Sequence, residues 1–476
     1  MRAALGSPRH LPLLAAVRDL EADVAASRTG ACQTEARQRA EAALAQQSDK
    51  VFALARRHIR ACFPSFWGPI GASDARMRRK FGTFFRELNL YHFTGPQIGK
   101  IVYDDKLIFD AVINRIGYRG PKAVWLVDGT RALRLSDNSR SPLAEVVDEI
   151  AAGTYFAKFR IGGGGEGAFR IADGQIVFAD GSSAAASPDT LIDIFAKSKQ
   201  NYLLQEVAQQ VEALSTLNPS SLNTIRCLTY LDRGGNAHVM GATLRLGAGT
   251  MVVDNASSGG LFCGIDINRG CLFATGINKA EVPFTQHPTT GVVFEDYALP
   301  DLDRVFEMCT RCHEAIGHPM TVGWDVAMAP GGPMLLEGNP RWMAKLHTQV
   351  DPGVGARVWS AYLDEWGGLD LGFGRAGLAR TSRIRDKRLT VSLKVEGRVQ
   401  KVGYRRWIAK HAKDRALSGH VKNLEDGTVA VHLSGPARRV EAMLLLVATG
   451  PRRAQVAAVA VEDIALTDED DFAVLT

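Results

Sequence analysis

The sequence predicts an α+β protein of several domains, and three observations carry that prediction. Helical periodicity dominates Ala15 to Cys62, a stretch rich in Ala, Arg, Glu and Gln. From about Asp104 short helices alternate with hairpin-forming strands, without the strict strand–helix alternation of a doubly wound parallel sheet. From Arg388 the pattern runs strand, helix, strand, strand, helix, strand, a ferredoxin-like βαββαβ arrangement complete in one short segment.

A chain of 476 residues exceeds the roughly 250–300 that one core sustains. Residues 1–103 read as a helical N-terminal region, in which Phe63 to Gly99 mixes aromatics, Arg and Gly and is expected to pack the arm onto the next domain. Residues 104–366 read as a central domain, 367–387 as a Gly-rich then basic linker, and 388–476 as a C-terminal domain. The central domain is expected to hold helices at Lys106–Ile116 and Pro188–Lys197. Its strands are expected at Ala123–Val127, Tyr155–Ile161, Ile176–Ala179, Tyr202–Val207, Asn223–Tyr230, Ala237–Leu246, Val322–Met328 and Met334–Glu337. The C-terminal elements fall at Leu389–Val395, Tyr404–Ala416, Ser418–Leu424, Thr428–Leu433, Pro436–Thr449 and Gln455–Val461.

Composition narrows the function classes. Hydrophobic residues make up 46% and charged residues 23% of the chain, a globular balance. No apolar run approaches the roughly 18–20 residues of a membrane span. Met1 to Val17 has no proper apolar core or cleavage site, so a cytoplasmic protein is expected. The net charge of +6 suits anionic substrates such as nucleotides. The basic residues are dispersed and not interleaved with aromatics, so nucleic acid is not expected as a partner. Seven cysteines at irregular spacings argue against a disulfide framework. Cys309, Cys312 and His313 spell the haem c attachment pattern, but inside the amphipathic run Asp303 to Ile316; ordinary thiols are expected there.

Two clusters carry chemistry. Gly162 to Gly165, Glu166 and Gly167 follow the strand that bears Lys158. A dinucleotide-binding glycine turn opens a helix, whereas Phe169 to Phe178 reads as a hairpin, so that reading fails on context. A mobile loop whose N–H groups at Gly163, Gly164 and Gly165 close over phosphates, with Lys158 neutralising charge, stands beside a plain hairpin turn. The second cluster is Gly323-Trp324-Asp325-Val326 and Leu336-Glu337-Gly338-Asn339, two strands around a Gly-Pro turn. Glu337 and Asn339 are two apart and share a face, and Asp325 can join them across the hairpin. Two carboxylates and an amide oxygen are hard donors that suit Mg2+ bridging nucleotide phosphates.

With Leu204-Gln205-Glu206-Val207, Asn218 to Arg226 and His287 to Gly291, these stretches resemble the ATP-grasp superfamily, in its sugar-transfer-associated branch, over roughly residues 80–365. The resemblance implies an ATP-grasp fold with ATP and Mg2+ as its cofactors. Lys106 and Lys158 would contact ATP phosphates, and Gln205, Glu206 and Val207 would line the adenine hinge. Asp325, Glu337 and Asn339 would hold the metal, and Arg226 would stabilise charge near the transferred phosphoryl group with Asn223 in support. His287 to Gly291 and the pair Arg341-Trp342 are candidates for the acceptor pocket.

In the C-terminal domain, Val395-Glu-Gly397-Arg-Val-Gln400-Lys-Val-Gly-Tyr404-Arg405 joins the first strand to the first helix, where backbone N–H groups face an anion. This segment resembles acylphosphatase from Arg388 to about Glu462. On that resemblance Arg405 binds an acyl phosphate and Asn423 positions the attacking water. One departure stands out: Lys401 occupies a position where that family usually has Gly.

The two resemblances together imply a carboxylate–amine ligase working through an acyl phosphate, with a module that edits or relays that intermediate. The rival is an ATP-dependent phosphotransferase acting on a hydroxyl. The expected partners are ATP, a carboxylate and an amine or other nucleophile. The oligomeric state is open, a homodimer included.

Overall fold

The computed structural model describes residues 11–28, 34–62, 98–162, 165–198, 200–248, 260–351, 353–366, 388–436, 439–440, 443–444, 446–447, 450–451, 453–463 and 471–475. Two compact units emerge. The first takes in Gln97–Leu231 and Gly235–Val354, and the second Pro8–Pro96, Asp232–Gly234 and Gly355–Thr476. The expected linker at 367–387, nearly all of the aromatic stretch from Phe63, and Gly163 and Gly164 lie outside the described residues.

The first unit contains two antiparallel sheets. One has eight strands: β1 (Ala123–Asp128), β2 (Arg131–Arg134), β3 (Arg140–Pro142), β4 (Tyr155–Phe159), β5 (Phe169–Ala172), β6 (Gln175–Phe178), β7 (Ser183–Ala185) and β8 (Tyr202–Glu206). Their order is β3-β2-β1-β8-β4-β5-β6-β7. Helices Leu143–Ala152 and Pro188–Lys197 send Val147, Ile150, Leu191 and Phe195 into a core with Trp125, Phe169, Ile171 and Leu204. Ser187 caps the second of these helices by accepting from Thr190 N at 3.2 Å, which satisfies one orphan donor of its first turn.

The other sheet has seven strands: β9 (Thr224–Leu231), β10 (Ala237–Leu246), β11 (Leu261–Asp266), β12 (Cys271–Asn278), β13 (Pro283–Phe284), β14 (Thr321–Ala329) and β15 (Gly332–Asn339). The order is β13-β12-β11-β10-β9-β14-β15. The two long hairpins expected from the sequence are therefore neighbours, joined through β9 and β14.

Helix Leu302–Ile316 packs on β9 and β10 with Cys309, Cys312 and His313 buried. Trp324 Nε1 donates to Thr229 Oγ1 at 2.7 Å, and Thr229 Oγ1 lies 2.7 Å from His313 Nδ1. His313 Nε2 sits 2.6 Å from the Pro319 carbonyl, which can only accept, so Nε2 carries the proton and Nδ1 accepts. With both nitrogens engaged, the Cys-x-x-Cys-His run is a core element.

Burial lowers the His313 pKa from 6.5 to about 4, against the opposing pull of the Pro319 carbonyl. Between these values the unfolded chain takes up a proton that the folded chain refuses, so stability falls as pH drops from 6.5 toward 4. The expected slope is about 1.4 kcal/mol per pH unit from this residue. Denaturant titrations at pH 6.5 and pH 5 read it, and H313Q is expected to flatten the dependence by that amount.

The second unit joins distant stretches of chain. Helices Pro12–Ser27 and Thr34–Cys62 pack together, as the Ala-rich periodicity predicts. The first has no side-chain cap of its own, and instead Leu13 N and Leu14 N donate to the Asp364 carboxylate at 2.9 and 3.0 Å. That anion satisfies two orphan N–H groups and matches the positive helix terminus. Glu21, also on this helix, binds Arg357 at 2.5 Å, and both side chains are buried. Asp364 and Arg357 lie on helix Gly353–Trp366.

The C-terminal sheet comprises β16 (Arg388–Arg398), β17 (Ser418–Asn423), β18 (Val429–Pro436), β19 (Gln455–Asp463) and β20 (Phe472–Val474), ordered β19-β16-β18-β17-β20. The first four follow the expected ferredoxin-like pattern, with helix Tyr404–Lys413 after β16 and helical residues at 439–440, 443–444 and 446–447 after β18. β20 adds a parallel fifth strand beside β17 that the sequence pattern does not predict. No helix among the described residues is long and apolar enough to cross a membrane.

Candidate active sites

A cavity of about 780 Å³ opens between the two sheets of the first unit. Period-two alternation builds its walls. On β4, Phe156 and Lys158 face inward together, and Gln205 and Arg170 join Phe156 in one cross-strand row. On the opposite sheet Asp325 stands directly across from Glu337 on one side and Arg226 on the other. Glu337 and Asn339 share a face, as their spacing predicts, and all three line the cavity with Arg226.

The acids and cations here interlock. Arg226 donates Nε to Asp325 Oδ1 at 2.6 Å and Nη2 to Oδ2 at 2.5 Å, while Arg245 Nη1 reaches Oδ2 at 2.9 Å. Burial alone would raise the Asp325 pKa, but the two guanidiniums win and hold it at about 2. Asn339 Nδ2 donates to Glu337 Oε1 at 3.1 Å and to Asp325 Oδ2 at 3.3 Å. One amide thus bridges two carboxylates, and the three side chains line the cavity together. Two carboxylates, and an amide turned to present its oxygen, are hard donors that would suit a divalent cation.

Lys106 opens its helix, which Asp105 caps by accepting from Leu107 N and Ile108 N. Lys106 Nζ donates to the Gly162 carbonyl at 2.5 Å, tying this helix to the glycine turn. Burial lowers the Lys106 pKa, with Glu337 opposing. Burial likewise brings Lys158 down to about 8, again against Glu337. Gly165 lines the cavity, and Gly167, at φ +68°, turns the chain where a Cβ would lie 2.4 Å from the Phe159 ring. Gln205 is buried and donates to the Pro121 carbonyl at 2.9 Å. Glu206 meets Lys122 at 3.3 Å, and Glu206 and Val207 continue the cavity wall.

Two candidates turn out to be braces. Asn223 is buried, and its Nδ2 contacts Gln210 Oε1 and the Leu214 and Asn218 carbonyls within 3.0 Å. It stiffens the loop before β9 and stands outside the cavity lining. His287 is buried too, with Nε2 at 2.8 Å from the Gly247 carbonyl and Nδ1 facing Thr289 N and Thr290 N. Of the pair after the metal motif, Arg341 lines the cavity, whereas Trp342 is buried with Nε1 on Thr321 Oγ1.

Phe156, Arg170, Arg245 and Lys279 line the cavity and belong to none of the sequence motifs. Phe156 carried a readable signal, since it sits two residues before Lys158 on one strand. Arg245 carried a fainter one: a lone cation within the apolar strand Gly241 to Leu246 requires a buried acid.

The second candidate site lies at the β16-to-helix junction. Gly397, at φ +118°, brings the chain so close to β19 that a Cβ would sit 2.1 Å from the Gln455 carbonyl. Gln400 Nε2 donates to the Leu424 and Thr428 carbonyls, both at 2.8 Å, pinning the loop to the β17–β18 turn. Arg405 stands in the first turn of helix Tyr404–Lys413, its Nη1 fixed at 3.0 Å from the Leu475 carbonyl beyond β20. At the end of β17, Asn423 Oδ1 is buried and finds no hydrogen-bond partner among the described residues. A buried acceptor left open costs about 1–3 kcal/mol unless a donor such as water fills it.

Lys401 adopts φ +59°, the left-handed region that costs a residue with a Cβ about 1–2 kcal/mol. Lys401→Gly relieves that strain but loosens the unfolded chain by about 0.5–1 kcal/mol. The net expectation is a gain of about 0.5–1 kcal/mol in stability, read as a raised unfolding midpoint in denaturant.

Known proteins match along the same division. The sugar-transfer associated ATP-grasp family matches residues 86–359, and the acylphosphatase family matches residues 391–474. An acylphosphatase from Azorhizobium caulinodans is 49% identical over 67 residues, 14% of this chain and 72% of its own length. One from Rhodospirillum rubrum is 40% identical over 83 residues, 17% of this chain and 91% of its own. Among solved structures, an L-amino acid ligase from Bacillus licheniformis is 10% identical, with a TM-score of 0.30 across 52% of this chain and 46% of that one. The chain is a member of the sugar-transfer associated ATP-grasp family with an acylphosphatase domain at its C-terminal end.

Proposed function

We infer that the first unit is an ADP-forming carboxylate–amine ligase and that the C-terminal domain acts on its acyl phosphate as an editor or relay. The observation that carries the reading is that Lys158 from one sheet and Arg226, Asp325, Glu337 and Asn339 from the other line a single cavity. A carboxylate oxygen attacks the γ-phosphorus of ATP, forming an O–P bond as the bond to the ADP oxygen breaks. An amine then attacks the acyl carbon, a C–N bond forms, phosphate leaves, and the amine proton passes to solvent.

Lys106 and Lys158 hold the phosphate chain, and Gln205, Glu206 and Val207 line the base. Arg226 stabilises the charge spread over the phosphoryl oxygens in transit. Glu337, Asn339 and Asp325 would hold Mg2+, which neutralises phosphate charge when bound. In the C-terminal domain Arg405 binds the phosphate of an acyl phosphate bidentately. Asn423, with its open buried oxygen, accepts a hydrogen bond from the attacking water.

The test is ADP release with Mg2+ and ATP against a panel of carboxylic acids and amines, with products read by mass spectrometry. Amide formation in the wild type that Glu337→Ala abolishes is the expected result. A phosphoester product would overturn the ligase in favour of a hydroxyl kinase.

A further inference from the structure

Strand β5 sets a guanidinium on the cavity wall between two apolar neighbours. Phe169 and Ile171 are buried in the core of the eight-stranded sheet, so Arg170 between them faces the other way and lines the cavity. Its cross-strand neighbours are Phe156 on β4 and Val177 on β6. The side chain is half-buried, and its Nε is buried without a hydrogen-bond partner among the described residues. The guanidinium forms no ion pair with a described acid; on the same wall Glu206 meets Lys122 and Asp325 meets Arg226. Packing alone would favour an apolar or β-branched residue between Phe156 and Val177, so neither the core nor an ion pair accounts for an arginine there.

Register shows what the guanidinium faces. Gln205, Phe156 and Arg170 stand in one row across β8, β4 and β5. All three end in flat groups, an amide, a ring and a guanidinium. Strands about 4.8 Å apart spread them over roughly 10 Å. Gln205 begins the wall assigned above to the base. Lys158, assigned to the phosphates, stands two residues further along β4, toward the glycine turn that Lys106 joins at Gly162. The Arg170 row therefore lies at the level of the base, one step removed from the phosphate chain. A guanidinium is planar and weakly hydrated, and it stacks on a π-face where an ammonium would keep its water.

We propose that Arg170 is a base-stacking residue, lying flat on the purine ring of the bound nucleotide beside Phe156. The inference rests on the nucleotide reading above and adds to it a residue that no motif marks.

The test uses the full-length protein with Mg2+ and measures calorimetrically its affinities for ADP and for tripolyphosphate, which offers phosphates without a base. R170A is expected to weaken ADP about tenfold while tripolyphosphate stays within about twofold. R170K, charged but not planar, is expected to recover only part of the loss. Unchanged ADP affinity in R170A overturns the proposal. So does an equal or greater loss for tripolyphosphate, which would make Arg170 a phosphate contact or a support of the fold. Should R170A fail to fold, R170M, which keeps the apolar stem, is read by the same criteria. If the wild type holds tripolyphosphate too weakly to measure, adenosine replaces it: a loss equal to that for ADP supports the proposal, and an unchanged adenosine affinity overturns it. A wild type that binds no ADP defeats the nucleotide reading beneath the proposal.

Discussion

Asp325→Asn is expected to destabilise the first unit by about 3–5 kcal/mol, because it replaces the buried carboxylate gripped by two bonds from the buried Arg226 guanidinium with a neutral amide. The amide keeps the shape and part of the hydrogen bonding, so the loss reports charge. Glu337→Gln, which also removes a carboxylate, is expected to cost far less stability, since Glu337 is only partly buried. Urea titration of the three proteins separates the two roles. Acid offers a second check. The Asp325 pKa is held at about 2, below its unfolded value of about 3.9. The stability it contributes is thus present above pH 4 and lost as pH falls through 2. The Asn variant is expected to lack that component of the acid transition.

Arg405→Ala is expected to lower hydrolysis of benzoyl phosphate by about 10²–10³, the usual effect of removing one charged donor from a preorganised oxyanion site. Folding is expected to survive, because the structural bond lost is a single contact to the Leu475 carbonyl, worth about 1 kcal/mol. Arg405→Lys keeps the charge without the planar fork and is expected to stay well below wild type. Run alongside amide synthesis, the same variant divides editing from relay. More amide per ADP marks an editor that has stopped discarding intermediates, and less amide marks a relay.

The parts of the site that depend on local period were legible. Glu337 and Asn339 share a face because strands repeat every two residues, and Asp325 joins them because a short Gly-Pro turn fixes the hairpin register. The ferredoxin-like order was legible for the same reason, as strands and helices of ordinary length succeeded one another without interruption. The facing of Arg245 was not, because β10 is buried along its whole length and loses the alternation that reveals it, and only the charge itself stood out. Asn223 and His287 show the opposite limit. Their residue types suggest chemistry, but only packing shows that their polar atoms serve loop backbones. Nor could local pattern reveal that the first helix is capped by Asp364.

That cap has a consequence for biosynthesis. Leu14 and Asp364 are 350 positions apart, so at about 5–20 residues per second the helix waits roughly 20–70 seconds on the ribosome for its cap and for Arg357. Throughout that interval Leu14, Val17 and Val24, buried in the finished protein, have no completed unit to enter. The intervening Gln97–Leu231 and Gly235–Val354 can meanwhile emerge in full. The order of maturation therefore inverts the order of synthesis: the earliest helix is among the last elements to settle, and a nascent-chain chaperone has its longest opportunity there.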